Sequence, residues 1–289
     1  MKSIFRYPGG KSKKSIIRWI FDHQPQTVHE YREPFVGGGG VFFSIPSTYV
    51  RWINDIHPGL IAVYTALRDR PLEFIKSCRN IAPIKANEPV TSAGPRGGKP
   101  LNARLKKVFD DLKFNNNCDQ ALRYFFINRT VHSGRVNYNI PSRVYYSNPT
   151  GWNIVKNDLL EQAAEHLQDV QITCGDYELL LTTPGEHVWL YLDPPYVVNT
   201  NLANSSRLYE HNFELDDHER LASVVKKCRH NIMLSYDNCD LIRTLYKGFN
   251  FIEKSWTYCG AAANITKATG NELLILNYEP PTLEENRNA

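Results

Sequence analysis

The chain has 289 residues, 42% of them hydrophobic and 22% charged, with a formal net charge of +4. That balance excludes a disordered chain, permits nucleic-acid binding without demanding it, and suits one large domain or two unequal ones. Six cysteines without a C-x-x-C pair or zinc spacing, no secretory-type leader and no bilayer-length apolar run lead us to expect reduced thiols in a cytoplasmic protein with no metal and no membrane.

The first marked stretch is FRYPGGKSKK, Phe5 to Lys14. Pro-Gly-Gly predicts a turn, and Ile16, Ile17 and Ile20 predict one face of a helix over residues 12–23. A glycine- and lysine-rich turn before a helix can cradle an anionic group with its N–H groups. The spacing is not that of a P-loop, and an ordinary basic turn is an equal alternative. A strand is expected to end at Glu33, stopped by Pro34, with Phe35 and a turn at Gly37 to Gly40 after it. Glycines directly after a first strand let the backbone approach a ligand closely. A second strand over residues 49–53 closes on Asn54 and Asp55. An acid about 20 residues beyond such a turn suits ribose hydroxyls. Pro58 then opens a helix to residue 68.

Residues 71–150 break the α/β rhythm. Residues 81–100 are rich in Pro, Gly and Lys and read as a loop or linker. A basic helix is expected over residues 104–114, with Arg104, Lys106, Lys107 and Lys113. The run from Ala121 to Tyr146 starts as an apolar helix. It then carries Arg129, His132, Ser133, Arg135, Asn137, Tyr138, Asn139 and Arg143 around Ser133-Gly134. Arg and Asn read base edges by paired hydrogen bonds, and Tyr and His can stack or wedge, so the cluster reads as a DNA-contacting hairpin.

The rhythm returns with a helix over residues 153–168 and a strand over residues 170–174, followed by Asp176 and Tyr177. That acid is placed to accept from an adenine amine, and the tyrosine can pack on the ring. Next comes YLDPPY, Tyr191 to Tyr196, closing the apolar run Val188 to Leu192. Such a run suits a strand buried on both faces of a parallel sheet. Prolines cannot continue a central strand, so Asp193 falls at the carboxyl edge where open α/β sheets bind ligands. A base amine is a poor nucleophile because its lone pair is delocalised into the ring. A carboxylate and the carbonyl of Pro194 can accept its two N–H groups, and Tyr196 can stack on the base. Pro194 and Pro195 stiffen the backbone that holds the two side chains. Residues 197–212 form a long polar loop. Helices over residues 216–228 and 240–246, strands over 232–236 and 249–253, and a last strand over 273–278 follow. The last strand is expected to pair with its predecessor as a long hairpin. The loop between them carries Lys267, grouped with Arg129 and Arg135 as phosphate contacts.

Read together, RYPGGK at Arg6 to Lys11, EPFVGGG at Glu33 to Gly39, IND at Ile53 to Asp55, INR at Ile127 to Arg129, GDY at Gly175 to Tyr177, DPPY at Asp193 to Tyr196 and NELL at Asn271 to Leu274 resemble the Dam-like DNA adenine amino-methyltransferases. They cover nearly the whole chain in the family's order. The chain departs from the Dam pattern at Thr130-Val131-His132-Ser133, and the loop over residues 81–100 has no counterpart.

The resemblance implies a Rossmann-like, seven-stranded sheet with one antiparallel strand. It also implies an inserted, mainly helical recognition domain with a hairpin, S-adenosylmethionine as cofactor, and a flipped adenine in double-stranded DNA. It divides the chain into core (1–69), recognition insertion (70–152) and catalytic core (153–289). Tyr7 and Lys11 would border the cofactor's methionine end. Glu33, Pro34, Phe35, Gly37 and Gly39 would form the cofactor loop, Asp55 would take the ribose, and Asp176 with Tyr177 the cofactor's adenine. Asp193, Pro194, Pro195 and Tyr196 would carry the chemistry, with Asp193 also bordering the cofactor. A bacterial, phage or plasmid setting, a cognate restriction endonuclease, and a monomer or weak dimer on DNA complete the expectation. Cytosine N4, RNA adenine or protein glutamine as target, or a silent DNA-binding relic, are the alternatives.

Overall fold

The computed structural model describes residues 1–7, 11, 13–85, 88, 91–92, 100–115, 117–131, 134, 136, 144–197, 213–257 and 269–281. The amino-terminal part contains α1 (Lys14–Phe21), β1 (Glu30–Glu33), a 3-10 turn (Phe42–Ser44), β2 (Val50–Asp55) and α2 (Pro58–Asp69). The middle contains α3 (Pro71–Asn80), the two-residue strands β3 (Thr91–Ser92) and β4 (Pro100–Leu101), α4 (Ala103–Phe114) and α5 (Gln120–Thr130). A 3-10 stretch (Pro149–Lys156), α6 (Leu159–His166), β5 (Val170–Cys174), α7 (Glu178–Thr182) and β6 (Val188–Leu192) come next. The chain continues through α8 (Leu215–Lys227), β7 (Asn231–Asp237), α9 (Asp240–Leu245), β8 (Asn250–Thr257) and β9 (Thr269–Leu276).

Seven strands form one sheet in the order β5-β2-β1-β6-β7-β9-β8, and only β9 runs against its neighbours. This is the expected mixed sheet with one reversed strand. After β1 the chain winds outward through β2 to β5, then returns to place β6 on the other side of β1. The crevice beyond the carboxyl ends of β1 and β6 is therefore the switch point where such sheets bind ligands.

β6 explains why its apolar run has no alternation. Val188, Leu190 and Leu192 pack on one face with Leu180, Leu221 and Val225, from α7 and α8. Trp189 and Tyr191 pack on the other, where Trp189 meets Phe21 at 5.8 Å and Tyr31 at 5.3 Å. Burial of each large side chain contributes about 1.5–3 kcal/mol, so both faces hold this strand in register. The hairpin of β8 and β9 pairs from Asn250↔Leu276 to Thr257↔Thr269, as its spacing predicts.

The middle helices share the core rather than hanging from it. Tyr124 of α5 lies 4.7 Å from His57 at the start of α2, and Phe125 lies 6.0 Å from Phe74 of α3. Trp152 closes the group at 4.7 Å from Phe126.

Three local features differ from expectation. The helix over residues 153–168 is two pieces, because Asn157 is extended (ψ 178°) and its side chain accepts from Leu159 N at 3.2 Å. A short helix, α7, stands between Tyr177 and β6, started by Asp176 accepting from Glu178 N at 2.8 Å. α3 begins at Pro71 directly after α2, within a stretch where no element was expected.

Arg32 of β1 ties the sheet to the turn after α7. It is 1% exposed and donates to Leu180 O (2.8 Å), Thr183 O (2.6 Å), Pro184 O (2.9 Å) and Glu30 (2.6 Å). Arg32→Met keeps the stem but strands those acceptors, so a loss of about 3 kcal/mol is expected. A lowered urea midpoint at unchanged slope would report it, and an unchanged midpoint would refute the role.

Candidate active site

Two strand ends build the site, and the first belongs to β1. Glu33 is 2% exposed and accepts from the Tyr31 hydroxyl at 2.5 Å. Burial pushes its carboxyl well above the usual range; the Tyr31 hydroxyl opposes the shift and the nearby Asp193 charge adds to it. Beyond Pro34 and Phe35 the chain turns through Gly37 (φ 45°) and Gly39 (φ 66°), left-handed conformations that favour glycine. Gly37 N donates to Asp55 Oδ2 at 2.9 Å, and the Tyr64 hydroxyl donates to Gly37 O at 3.0 Å. Asp55 Oδ1 accepts from His57 N at 2.9 Å, so one carboxylate fixes the glycine turn and the start of α2. Asn54 donates to Pro34 O (3.1 Å) and Gly175 O (2.9 Å), joining the ends of β1 and β5.

The glycines also have a reason inside the chain. A Cβ at Gly37 or Gly38 would lie 3.0 or 2.9 Å from the Tyr7 side chain, and one at Gly40 would lie 3.1 Å from the Lys11 backbone. The turn is thus shaped to admit the amino-terminal segment. That segment is stitched to the end of α5. Asn128, fully buried, accepts from Arg6 N (3.0 Å) and donates to Arg6 O (2.8 Å) and Gly134 O (3.1 Å).

The second strand end carries Asp193 to Tyr196. Ser235 of β7 donates to Asp193 Oδ1 at 2.8 Å, and Ser235 shares a hydrogen bond with Tyr191 at 3.0 Å. Lys11, 6% exposed, places its ammonium 3.3 Å from the same Oδ1. Among the described residues, both contacts fall on one carboxylate oxygen, and Asp193 remains 23% exposed. Lys11 also donates to the Tyr196 hydroxyl and pairs with Glu272, while that hydroxyl donates to Glu272. Burial disfavours the Lys11 charge, but Asp193 and Glu272 outweigh it and raise its pKa. The Tyr196 ring stands 5.9 Å from that of Tyr236. Pro194 is buried and Pro195 half-buried.

A third strand end lies beside Phe35. Its ring is 5.2 Å from Tyr177, and Arg220 of α8 lies 4.9 Å over the Tyr177 ring. Arg220 grips Asp176 with two bonds (2.7 and 3.0 Å) and Glu178 with one (2.7 Å). Arg220 holds the Asp176 carboxyl below its usual range.

The structure therefore gathers Tyr7, Lys11, Glu33, Phe35, Gly37, Gly39, Asp55, Asp176, Tyr177, Asp193 and Tyr196 around one sheet edge. Lys11 reaches the Asp193–Tyr196 pair directly. Arg129, expected as a DNA contact, is half-buried. Its guanidinium points inward, donating to Gly151 O (3.0 Å) and Ile4 O (3.1 Å), and burial lowers its pKa to about 10. His132, Ser133, Arg135, Asn137, Tyr138, Asn139, Arg143 and Lys267 lie outside the described residues. Sequence reasoning missed Ser235, Glu272 and Arg220. The first two had a signal: a lone polar or charged residue within or at the start of an apolar strand run (MLSY, ELLIL) needs a buried partner.

A family model of the D12 class N6 adenine-specific DNA methyltransferases matches residues 7–259. The chain is 29% identical over 305 residues to type II methyltransferase M.MjaIII of Methanocaldococcus jannaschii, covering 96% of this chain and 99% of that one. It is 26% identical over 290 residues to type II methyltransferase M1.LlaDCHI of Lactococcus lactis, covering 96% of each. It is 27% identical over 290 residues to a DNA adenine methylase of Vibrio cholerae, covering 95% of each.

Gly39 offers a test of the turn. A Cβ there would lie 2.6 Å from the Tyr64 hydroxyl oxygen at a φ that L side chains rarely adopt. Gly39→Ala is expected to cost about 2 kcal/mol. Thermal melting measures it, and an unchanged Tm would show that the turn yields without strain.

Proposed function

The chain belongs to the family of D12 class N6 adenine-specific DNA methyltransferases, and from that premise we propose that it methylates the N6 amine of an adenine turned out of double-stranded DNA, with S-adenosylmethionine as donor. The donor supplies a methyl group made electrophilic by its sulfonium. The residues present fit such a group: a left-handed glycine turn that brings main chain close, an acid at each flanking strand end, and aromatic walls in Phe35 and Tyr177. Asp55, which fixes the glycine turn and the start of α2, would take the ribose hydroxyls. Asp176, its charge secured by Arg220, accepts from the cofactor's adenine amine. Tyr7 and the Glu33–Gly39 turn border the methionine end.

The observation that carries the reading is the one-sided occupation of Asp193. Ser235 and the nearest approach of Lys11 fall on Oδ1, and in this reading Oδ2 is the acceptor for the substrate. Oδ2 takes one amine N–H and the Pro194 carbonyl takes the other, freeing the nitrogen lone pair from the ring. Tyr196 packs on the base and holds the amine in line. The proton released as the new N–C bond forms leaves the nitrogen by way of Asp193. The base must leave the duplex first, because its amine is out of reach inside the stack.

We assign DNA recognition to the insertion at residues 70–152. Among the described residues no helix is long and apolar enough to cross a membrane. DNA as substrate favours a cytoplasmic setting, and the type II names among the relatives favour a cognate endonuclease as partner.

The test is transfer of labelled methyl from S-adenosylmethionine to mixed-sequence duplex DNA, with nucleoside analysis and mapping. N6-methyladenine at one short motif is expected; N4-methylcytosine, or no label on DNA, would overturn the reading. Asp193→Ala should abolish turnover while DNA binding survives in a shift assay. Turnover above a few per cent of wild type would remove Asp193 from its role.

A further inference from the structure

Glu272 stands on β9, the one reversed strand, and is 4% exposed. Its register partner is Asp237, at the carboxyl end of β7. The reversal matters: a strand that enters the sheet at this edge presents its first residues, not its last, to the crevice. The Glu272 carboxylate receives both the Lys11 ammonium and the Tyr196 hydroxyl, and the ammonium also reaches that hydroxyl. The three groups close a ring of contacts around the edge of the tyrosine.

Two consequences follow for Asp193. The ammonium sits closer to Glu272 than to Asp193, which it approaches only to 3.3 Å, beyond the usual length of a charge-assisted hydrogen bond. With no second carboxylate it would settle on Asp193 and weaken that carboxylate as an acceptor for the substrate amine. The charge count also matters. Lys11 offsets one of the two carboxylates, Asp193 and Glu272, so these three groups are net negative when both acids are ionised, with Asp237 and Glu33 adjacent. That sign stabilises an amine turning cationic as it gains a methyl group.

We propose that Glu272 is a positioning residue for methyl transfer: it anchors the Tyr196 ring through its hydroxyl and draws the Lys11 ammonium away from Asp193. This rests on the functional reading of Asp193 and Tyr196 given above. The titration behaviour agrees. Burial pushes the Glu272 carboxyl up with Lys11 opposing the shift, and Asp193 and Glu272 raise the pKa of Lys11 against its own burial.

Glu272→Gln keeps the size and an acceptor for the tyrosine but removes the charge. On a duplex that the wild type methylates, kcat should fall about tenfold to a hundredfold, with KM for S-adenosylmethionine changed less than about threefold. Glu272→Asp keeps the charge one methylene short and should recover part of kcat. In a cycle of Glu272→Ala with Tyr196→Phe, the double variant should lose less than the two single losses combined, because both substitutions remove the same hydroxyl–carboxylate bond. Wild-type kcat in E272Q, an equal loss in E272D and E272Q, a loss in KM alone, or a fully additive cycle would each overturn the inference. A wild type that moves no methyl to DNA would instead overturn the functional reading, and this role with it.

Discussion

One ammonium between two carboxylates holds the site together. Lys11 comes from the segment before α1, Asp193 from the end of β6, and Glu272 from β9. Three remote stretches of chain meet because a buried charge without partners costs several kcal/mol, whereas a paired one can be tolerated. The pairing is therefore a constraint on the fold as much as a feature of the chemistry. If the reversed strand slipped by one residue, Glu272 would move to the other face of the sheet and leave Lys11 with only the more distant Asp193.

Around that cluster, polar side chains are used mainly to position main chain. Asp55 holds the glycine turn and the start of α2, Asn54 joins two strand ends, and Asn128 clamps the amino-terminal segment. Arg129 belongs with this group, since it closes α5 onto Ile4 and Gly151. The middle helices are thus bonded to the same segment that delivers Tyr7 and Lys11.

What the sequence shows and what it conceals divide along physical lines. The strand of β6 was legible because an unbroken apolar run ending in Asp-Pro-Pro has few other solutions, and the glycine turn after β1 was legible for a similar reason. The reversed β9 was legible as the second arm of a long hairpin. The break at Asn157 was not, because the apolar stripe of residues 155–167 continues across it while a single side-chain bond ends the helix. The bonding of Arg129 to main-chain carbonyls was not legible, because composition cannot say whether an arginine faces solvent or carbonyls. Glu272 was overlooked as a participant because its partners lie far away in sequence, at Lys11 and Tyr196, and only strand order brings them together. Distances in the chain hide such clusters; the topology of the sheet reveals them.

The position of Glu272 on β9 has a consequence for synthesis. Lys11 is synthesised long before Glu272, so the ion cluster cannot close until the whole stretch between them has emerged. Up to that moment the buried lysine has only part of its compensation, and the hairpin that completes the sheet depends on contacts of long sequence separation, which form slowly. A nascent chain therefore carries an unfinished crevice. Products terminated before β9 would be without both the edge pairing and the second carboxylate.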